Sequence, residues 1–440
     1  MGGGDSIRKT ASVVTIAMFV FGAQRAHGLG EASLLSASFL RTAPERPVTA
    51  TSFSAGPKIS RDGKVLRTRL DASAQLFAEF PDSLTIEAAE AAIGTSENVL
   101  GRHTLWLGRK RFEWSKVDTE WDAGIWSPRF IWDPLAPQSI GLTGFFYEAS
   151  WKNVHWKTFA TGVSPPERGI PIAVRDGEFV PRGPYWQPLP ADLALPNRRI
   201  GVEYSLTEPS LSRAIFRPGV ATQLRVGSET GPWTTVGYGL LPVHQFDFAV
   251  DGYLSPNGRF RADVKPMLWH HHLLSWEGGI SDKSMHSWVS VTREIPLTEN
   301  VPSFWIYQPL GPAWILGSGF KFHILEKGSL GVSGLAVFED KTEPQGIFGV
   351  TLALPSRFIF DRAVKIRGGW RFSERWEAAS QWTADLERRG RWIMGEVQYV
   401  PRADWRVSMG VDWIEYDRTD GWFAQVQGND RVRTNVSYRF

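Results

Sequence analysis

Apolar and polar side chains alternate along most of the chain with a period of two residues. From 432 to 440 an apolar, aromatic or β-branched residue stands at every second position, with arginine, asparagine or serine between. The same alternation runs from Leu70 to Phe80 and recurs in many later segments. Successive side chains of a β-strand point to opposite faces, so each segment predicts a strand with one apolar and one polar face.

The predicted strands are long, and their connectors differ in length. Several strands exceed ten residues, whereas about 9–11 residues suffice for a tilted strand to cross a hydrocarbon core. Turn-like connectors at 372–375 and 400–404 contrast with a long polar one at 417–430. This contrast is typical of barrels with short periplasmic turns and longer external loops. The pattern predicts an all-β fold, a closed antiparallel transmembrane β-barrel.

The length of the chain limits the size of this barrel. Roughly 375 residues, at about 20–22 per strand with its connector, predict about 16–18 strands, the size range of water-filled pores. The alternation would line such a lumen with polar side chains. Closure would leave no unpaired sheet edge in lipid.

The first 28 residues have the organisation of a secretory signal peptide. Arg8 and Lys9 precede a weakly polar to apolar stretch at 10–23, and Ala26-His27-Gly28 offers a small-x-small cleavage site. We therefore expect a mature chain that begins near Leu29. Residues 29–61 are expected to form a periplasmic or plug segment, or a disordered one, ahead of a barrel over 62–440. No later apolar run approaches the roughly 18 residues that a membrane-spanning helix needs.

Composition excludes several classes of partner and chemistry. The 49 basic and 46 acidic residues give a net charge of only +3, which argues against a nucleic-acid partner. The absence of cysteine excludes disulfides, thiolate metal sites and cysteine nucleophiles. Ten of the 21 tryptophans fall near predicted strand ends, where aromatic girdles form at membrane interfaces. These ten are Trp106, Trp114, Trp151, Trp156, Trp370, Trp376, Trp382, Trp392, Trp405 and Trp413.

The end of the chain resembles a known family signal. The terminal Val-Ser-Tyr-Arg-Phe resembles the last strand of Gram-negative outer-membrane β-barrel proteins of the porin-like type. The resemblance implies that Val436, Tyr438 and Phe440 are read by the outer-membrane insertion machinery, and that this strand pairs with the first. It further implies an outer-membrane location, surrounded by outer-membrane lipid and lipopolysaccharide.

Two segments interrupt the alternation and are the candidate pore-narrowing loops. Residues 115–138 carry Asp118, Glu120 and Asp122 among tryptophans, and residues 164–199 carry eight prolines and five arginines. Rings of charge select ions in pores, so we expect the proline-rich loop to narrow the lumen. Its Arg175 and Arg182 would lie near the constriction, with the three acidic residues as further candidates. Alternatively, the tryptophan-rich loop could stack on sugars, or both loops could be solvated external loops.

Evidence for catalysis or metal binding is thin. His270 and His272 share one face of a predicted strand, but no carboxylate pattern accompanies them, and Ser275 and Glu277 match no nucleophile arrangement. We therefore predict no enzyme, cofactor or metal site. Two functions stay open: a porin-like channel for small solutes or an export conduit, and a scaffolding barrel. The second would be a subunit of a multi-protein envelope complex with a plugged or lipid-filled lumen. Envelope protein partners or a homo-oligomer are compatible with both.

Overall fold

A computed structural model of the chain describes residues 30–41, 47–169, 172–185, 192–195, 198–325, 327–343, 357–418 and 421–440. The predicted signal peptide at 1–28 lies outside the described residues. Parts of the proline-rich segment, at 170–171, 186–191 and 196–197, also lie outside them.

Eighteen antiparallel strands form one sheet that closes on itself. Each strand pairs with its successor, and the last pairs with the first from Glu31 opposite Arg439 to Phe39 opposite Arg431. The predicted closed barrel of about 16–18 strands is thereby confirmed. The strands are β1 Gly30–Phe39, β2 Thr49–Asp62, β3 Leu66–Phe77, β4 Phe80–Thr95, β5 His103–Lys110, β6 Leu142–Trp151, β7 Val154–Thr161, β8 Gly219–Gly227, β9 Gly231–Pro242, β10 His270–Ser281, β11 Met285–Leu297, β12 Ala313–Ile324, β13 Gly328–Glu339, β14 Arg362–Arg371, β15 Trp376–Asp385, β16 Gly390–Arg402, β17 Trp405–Tyr416 and β18 Arg431–Arg439.

The segment at 29–61 departs from expectation. Instead of a periplasmic or plug segment, its described part supplies β1 and most of β2, and β1 closes the barrel between β2 and β18. Many side chains on both faces of β1 and β2 are serine or alanine, so the alternation of apolar and polar residues is weak there. The barrel therefore begins at Gly30 rather than at residue 62.

The two rims of the barrel differ in their connectors. At one rim no connector exceeds the seven residues of 96–102, whereas the other rim carries the loops at 111–141, 162–218 and 243–269. We call these the short-turn rim and the long-loop rim; in membrane barrels they face the periplasm and the outside. Gly30 and Phe440 meet at the short-turn rim, where each backbone N–H donates to the other's carbonyl, at 2.9 and 3.0 Å.

The outer surface of the barrel is apolar. Strand residues such as Trp276, Trp314, Leu274 and Val436 are exposed there, although a water-soluble protein would bury them. Trp106 and Trp114, expected in an aromatic girdle, are instead buried inside the barrel, at 3% and 2% exposure. The aromatic girdle at strand ends is therefore only partly formed by the predicted tryptophans.

Loops at the long-loop rim add structure above the barrel. A five-stranded sheet contains Asp192–Leu195, Arg198–Leu206, Phe260–Met267, Asp247–Leu254 and Ile306–Tyr307, and two hairpin-like pairs join Ile172–Arg175 with Glu178–Pro181 and Arg129–Phe130 with Gln138–Ser139. The helices are α1 Glu97–Leu100, α2 Lys116–Trp121, α3 Leu211–Ile215 and α4 Trp422–Gln425, with a 3₁₀ turn at Gln427–Asn429. None of the helices in the described part of the chain is long and apolar enough to cross a bilayer.

Candidate functional site: the lumen and its inserted loop

The loop at 111–141, hereafter the inserted loop, leaves the barrel wall and enters the lumen. It connects β5 with β6, and its helix α2 contacts strands β11, β12 and β13 on the other side of the barrel. We call α2, Lys116–Trp121, the crossbar helix. Since polar backbone inside a barrel needs partners, the position of this helix depends on what the wall offers its two ends.

The N-terminal end of the crossbar helix is held by a carboxylate from the wall. The backbone N–H of Lys116 donates to Glu277 Oε1 at 2.7 Å, and Ser290 Oγ donates to the same oxygen at 2.9 Å. Ser115 caps the helix within the loop itself. A carboxylate at a helix N-terminus is favourable because the first N–H groups are unpaired and carry partial positive charge.

The C-terminal end is held by cations from β14. Lys365 Nζ donates to the carbonyl of Glu120 at 2.6 Å, and Arg367 forms an ion pair with the Glu120 carboxylate at 3.0 Å. Ser333 Oγ also donates to that carboxylate, at 3.2 Å. Cations suit this end because its carbonyls lack intrahelical partners. Glu120 therefore binds the wall.

Asp118 organises the turn that follows the crossbar helix. Its buried carboxylate accepts the backbone N–H groups of Ile125 at 2.7 Å, Trp126 at 3.2 Å and Ser127 at 3.1 Å. Burial raises the pKa of Asp118 to about 6, although these hydrogen bonds act in the opposite direction. Asp118 is thus an internal acceptor of the loop.

Asp122 ends the helix and faces the remaining lumen. Its backbone adopts a left-handed conformation with φ of 48°. Desolvation by burial raises the pKa of its carboxyl, opposed by the nearby Lys365 and Arg367. Of the three predicted acidic residues, Asp122 lines the lumen cavity, whereas Asp118 and Glu120 hold the inserted loop in place.

One half of the lumen is filled by apolar side chains. Trp114 stacks on Trp126 with ring centres 5.9 Å apart, and both are nearly fully buried. The wall offers glycines to them: a Cβ at Gly239 would stand 3.0 Å from the Trp126 ring, and one at Gly317 only 2.2 Å from Val117. The absence of side chains at these inward positions leaves room for the loop.

The other half holds a polar cavity of about 560 Å³ between β1–β3, β14–β18 and the inserted loop. Serine, glutamine, threonine and asparagine side chains line much of it, with Trp392, Trp422 and Phe360. Its charged lining residues are Lys365, Arg367, Arg406, Arg431, Arg433, Asp122, Asp133, Glu396 and Asp412. This cavity is the candidate solute path.

Most charges of the cavity are paired with one another. Buried Arg431 lies between Asp133 and Asp412, at 2.7 Å from each, and Arg433 reaches Asp412 at 3.2 Å and Glu396 at 2.5 Å. Arg406 is exposed in the cavity and forms no ion pair within the described part of the chain. Paired charges give little net field, so Arg406 is the cation best placed to act on a passing ion.

The predicted pore-lining arginines lie elsewhere. Arg175 stands in the exposed turn of a hairpin, and this hairpin packs on the loop sheet through Phe179 and Tyr204, whose ring centres are 4.9 Å apart. Arg182 is exposed as well, and neither arginine lines the cavity. The hairpin of the proline-rich segment thus packs on the loop sheet, whereas Tyr185 of the same segment is buried against Phe77 of the barrel wall, with ring centres 5.9 Å apart.

The histidine cluster divides between the two faces of β10. His272 faces outwards and bonds Tyr238 Oη at 2.9 Å, while buried His271 meets Glu294 at 2.6 Å inside. His270 bonds the carbonyl of Pro218. Within the described ranges, no group of three or more histidine, aspartate or glutamate side chains is arranged to hold a metal ion.

Sequence reasoning missed the wall residues that hold the inserted loop. Local sequence pattern offers Glu277 only as a candidate catalytic residue and does not distinguish Lys365, Arg367 or Arg406 from other charged strand residues. A signal was present, because charged residues at the polar positions of alternating strands point into the lumen. Their partners could not be identified, because Glu277 and Lys365 lie 161 and 245 residues from the loop residues they bind.

Comparisons with known proteins give distant structural likeness only. No protein-family model matches the chain, and no curated protein matches it. Pseudomonas aeruginosa OccD3 (OpdP) has a TM-score of 0.48 at 9% identity, over 95% of this chain and 92% of that one. Acinetobacter baumannii OccAB3 has a TM-score of 0.45 at 10% identity, over 94% and 100%. A mutant of Rh. blastica porin has a TM-score of 0.40 at 8% identity, over 94% and 99%. At this level of similarity, the solute has to be inferred from the lumen itself.

Proposed function

We propose that this chain is a non-enzymatic, porin-like channel for small solutes in the outer membrane. The observation that carries the proposal is the polar cavity of about 560 Å³ beside the crossbar helix, inside a closed barrel with an apolar outer face. Its size falls in the range of about 300–1,000 Å³ that small-molecule sites occupy. Polar side chains at the inward positions favour water and small polar solutes over lipid.

The inserted loop sets the size limit of this channel. The crossbar helix is fixed at both ends, by Glu277 and by Lys365, so the filled half of the lumen stays closed. Solutes therefore pass along β1–β3 and β14–β18. Arg406 gives this path a weak preference for anions, since a cation in a low-dielectric channel raises the local anion concentration.

Electrical recording on purified protein in planar bilayers tests this function. We expect stable single-channel currents and, in a salt gradient, a reversal potential that moves towards cation preference in Arg406→Gln. The matched control replaces Arg175 and Arg182 by serine, which removes two exposed charges outside the cavity and leaves the reversal potential unchanged. Absence of current from correctly folded barrels would refute the channel and favour the scaffolding barrel.

We also infer that the insertion machinery reads the last strand at Val436, Tyr438 and Phe440. Supporting this, Val436 is exposed on the outer face, and the ring of Phe440 stacks on that of Tyr438 with centres 6.3 Å apart. Phe440 also completes the ladder with Gly30 at the closing seam.

A further inference from the structure

A group of cations lies in the lumen away from the proposed solute path. Lys110 Nζ and Lys157 Nζ lie 4.5 and 5.3 Å from the centre of the Phe112 ring. The guanidinium of Arg225 and the Nζ of Lys116 lie 4.7 and 6.0 Å from the centre of the Trp233 ring. We call Lys110, Lys116, Lys157 and Arg225 the basic pocket. None of the four lines the cavity of the open half.

The basic pocket is short of negative charge. Within the described residues, Lys110, Lys157 and Arg225 form no ion pair, and Lys116 pairs with Glu113. The other acidic neighbours are Glu148, directly opposite Lys157 in the strand register, and Glu90, which lies near Lys110 and 3.7 Å from Arg111. Four cations against three carboxylates leave an excess of one positive charge. All four cations are partly buried, where like charges repel one another more strongly than in water.

Two of the four cations lie towards the short-turn rim. Lys157 is the fourth residue of β7, which begins at Val154, and Arg225 is the third from the end of β8 at Gly227. Both strand ends belong to the rim of short turns. An ion arriving from that side meets Lys157 and Arg225 first. Lys110 ends β5 at the opposite rim, and Lys116 belongs to the inserted loop.

We propose that the basic pocket binds a compact oxyanion of the phosphate class. The negative charge of such an ion would offset the excess positive charge of the pocket. Several oxygens could accept hydrogen bonds from the ammonium groups of Lys110 and Lys157 and from the guanidinium of Arg225 at once. The rings of Phe112 and Trp233 hold these cations from the side, so their polar ends are ordered before the ion arrives.

Equilibrium dialysis of radiolabelled inorganic phosphate against the detergent-purified barrel tests the site, at fixed ionic strength with chloride as the competing anion. We expect saturable binding at one site per chain. The double variant Lys157→Gln with Arg225→Gln should weaken binding at least tenfold. The control, Lys152→Gln with Arg213→Gln, removes the same charge from exposed positions outside the lumen and should bind phosphate as the wild type does.

Folding of each variant is checked by its heat-modifiable migration, and Lys110→Gln provides an independent variant should the double change impair assembly. A wild type without saturable phosphate binding would overturn the inference. So would folded basic-pocket variants with unchanged affinity. Because dialysis needs no current, a barrel that binds phosphate without conducting would refute the channel alone, and one that conducts without binding would refute this site alone.

Discussion

The two halves of the lumen face the same inserted loop, but their walls present different side chains to it. On the side of β9 to β12 the wall presents glycines, such as Gly239 and Gly317, and the loop's Trp126 and Val117 occupy the space. On the side of β14 to β18 the wall presents lysine and arginine at inward positions. There, Lys365 and Arg367 bind the end of the crossbar helix and the lumen beyond it stays open.

This difference indicates that the size of the inward side chains determines which part of the lumen a loop can fill. Both halves obey the same alternation of inward and outward residues. An inward glycine leaves room for the loop to pack on the wall. A lysine or arginine instead binds the end of the loop at the length of its own side chain, so the loop does not pack on the wall there. The position of the open path therefore follows from a few inward positions rather than from the number of strands.

The largest effect is expected from a change that prevents the whole barrel from assembling, because both halves of the lumen are then lost. Phe440→Asp places a charge on the closing seam at the short-turn rim, where Phe440 pairs with Gly30 and stacks on Tyr438. We expect most of the assembled, heat-modifiable barrel to disappear from membranes. Arg439→Gln, next to it on the inward face, is the control and should assemble nearly normally. Equal assembly of both variants would argue against Phe440 as an assembly signal.

A side chain at Gly317 should exclude the inserted loop from the half of the lumen that it now fills. In Gly317→Val the new side chain needs the space of Val117, since a Cβ alone would come within 2.2 Å of it. The crossbar helix must shift, at a cost of about 1–3 kcal/mol, typical of overpacked sites. We expect the single-channel conductance to change severalfold. Gly331→Val, on the inward face of β13 with no atom closer than 3.8 Å, should conduct as the wild type does.

Removing the cation that holds the helix end should loosen the inserted loop without displacing it. Lys365→Met removes the ammonium that lies 2.6 Å from the carbonyl of Glu120 and leaves this carbonyl only the longer bond from Arg367 at 3.4 Å, a loss of about 0.5–1.5 kcal/mol. We expect more open-channel noise and faster hydrogen exchange in the loop. Lys321→Met, an exposed lysine of β12, serves as control. Identical noise in the two variants would show that Lys365 does not hold the loop.

The smallest expected effect is a pH dependence within the filled half. Burial raises the pKa of Asp118 to about 6, above the value of about 3.9 for a free aspartate. The docked loop therefore binds the proton more tightly. Its stability is greatest below about pH 4 and declines as the pH rises through about 6. Protection of the loop from hydrogen exchange, corrected for intrinsic rates, should rise between pH 7 and 5. Asp118→Asn should abolish this rise, and its persistence would assign the proton to another group.

The sequence allowed the barrel to be predicted but not the contents of its lumen. Alternation at 70–80 and 432–440 indicates strands because that pattern is local to each strand. The strand β1 was overlooked because serine and alanine give the pattern little contrast. The role of Glu277 depends on a partner in another part of the chain, which no local pattern contains. Likewise, composition suggests Arg175 as a pore charge, whereas its hairpin packs on the loop sheet through Phe179 and Tyr204.

The two ends of the crossbar helix also constrain the order of folding. Neighbouring barrel strands pair across short stretches of chain, but Lys116 reaches Glu277 over 161 residues and Glu120 reaches Lys365 over 245. Contacts that close such long loops form late and slowly, because chain entropy is lost before they contribute. The inserted loop cannot be held at its second end until β14 has joined the sheet. Until then, Trp121, whose ring centre lies 4.4 Å from Lys365 Nζ, lacks part of the wall that buries it, so the barrel is exposed to aggregation until β14 is in place.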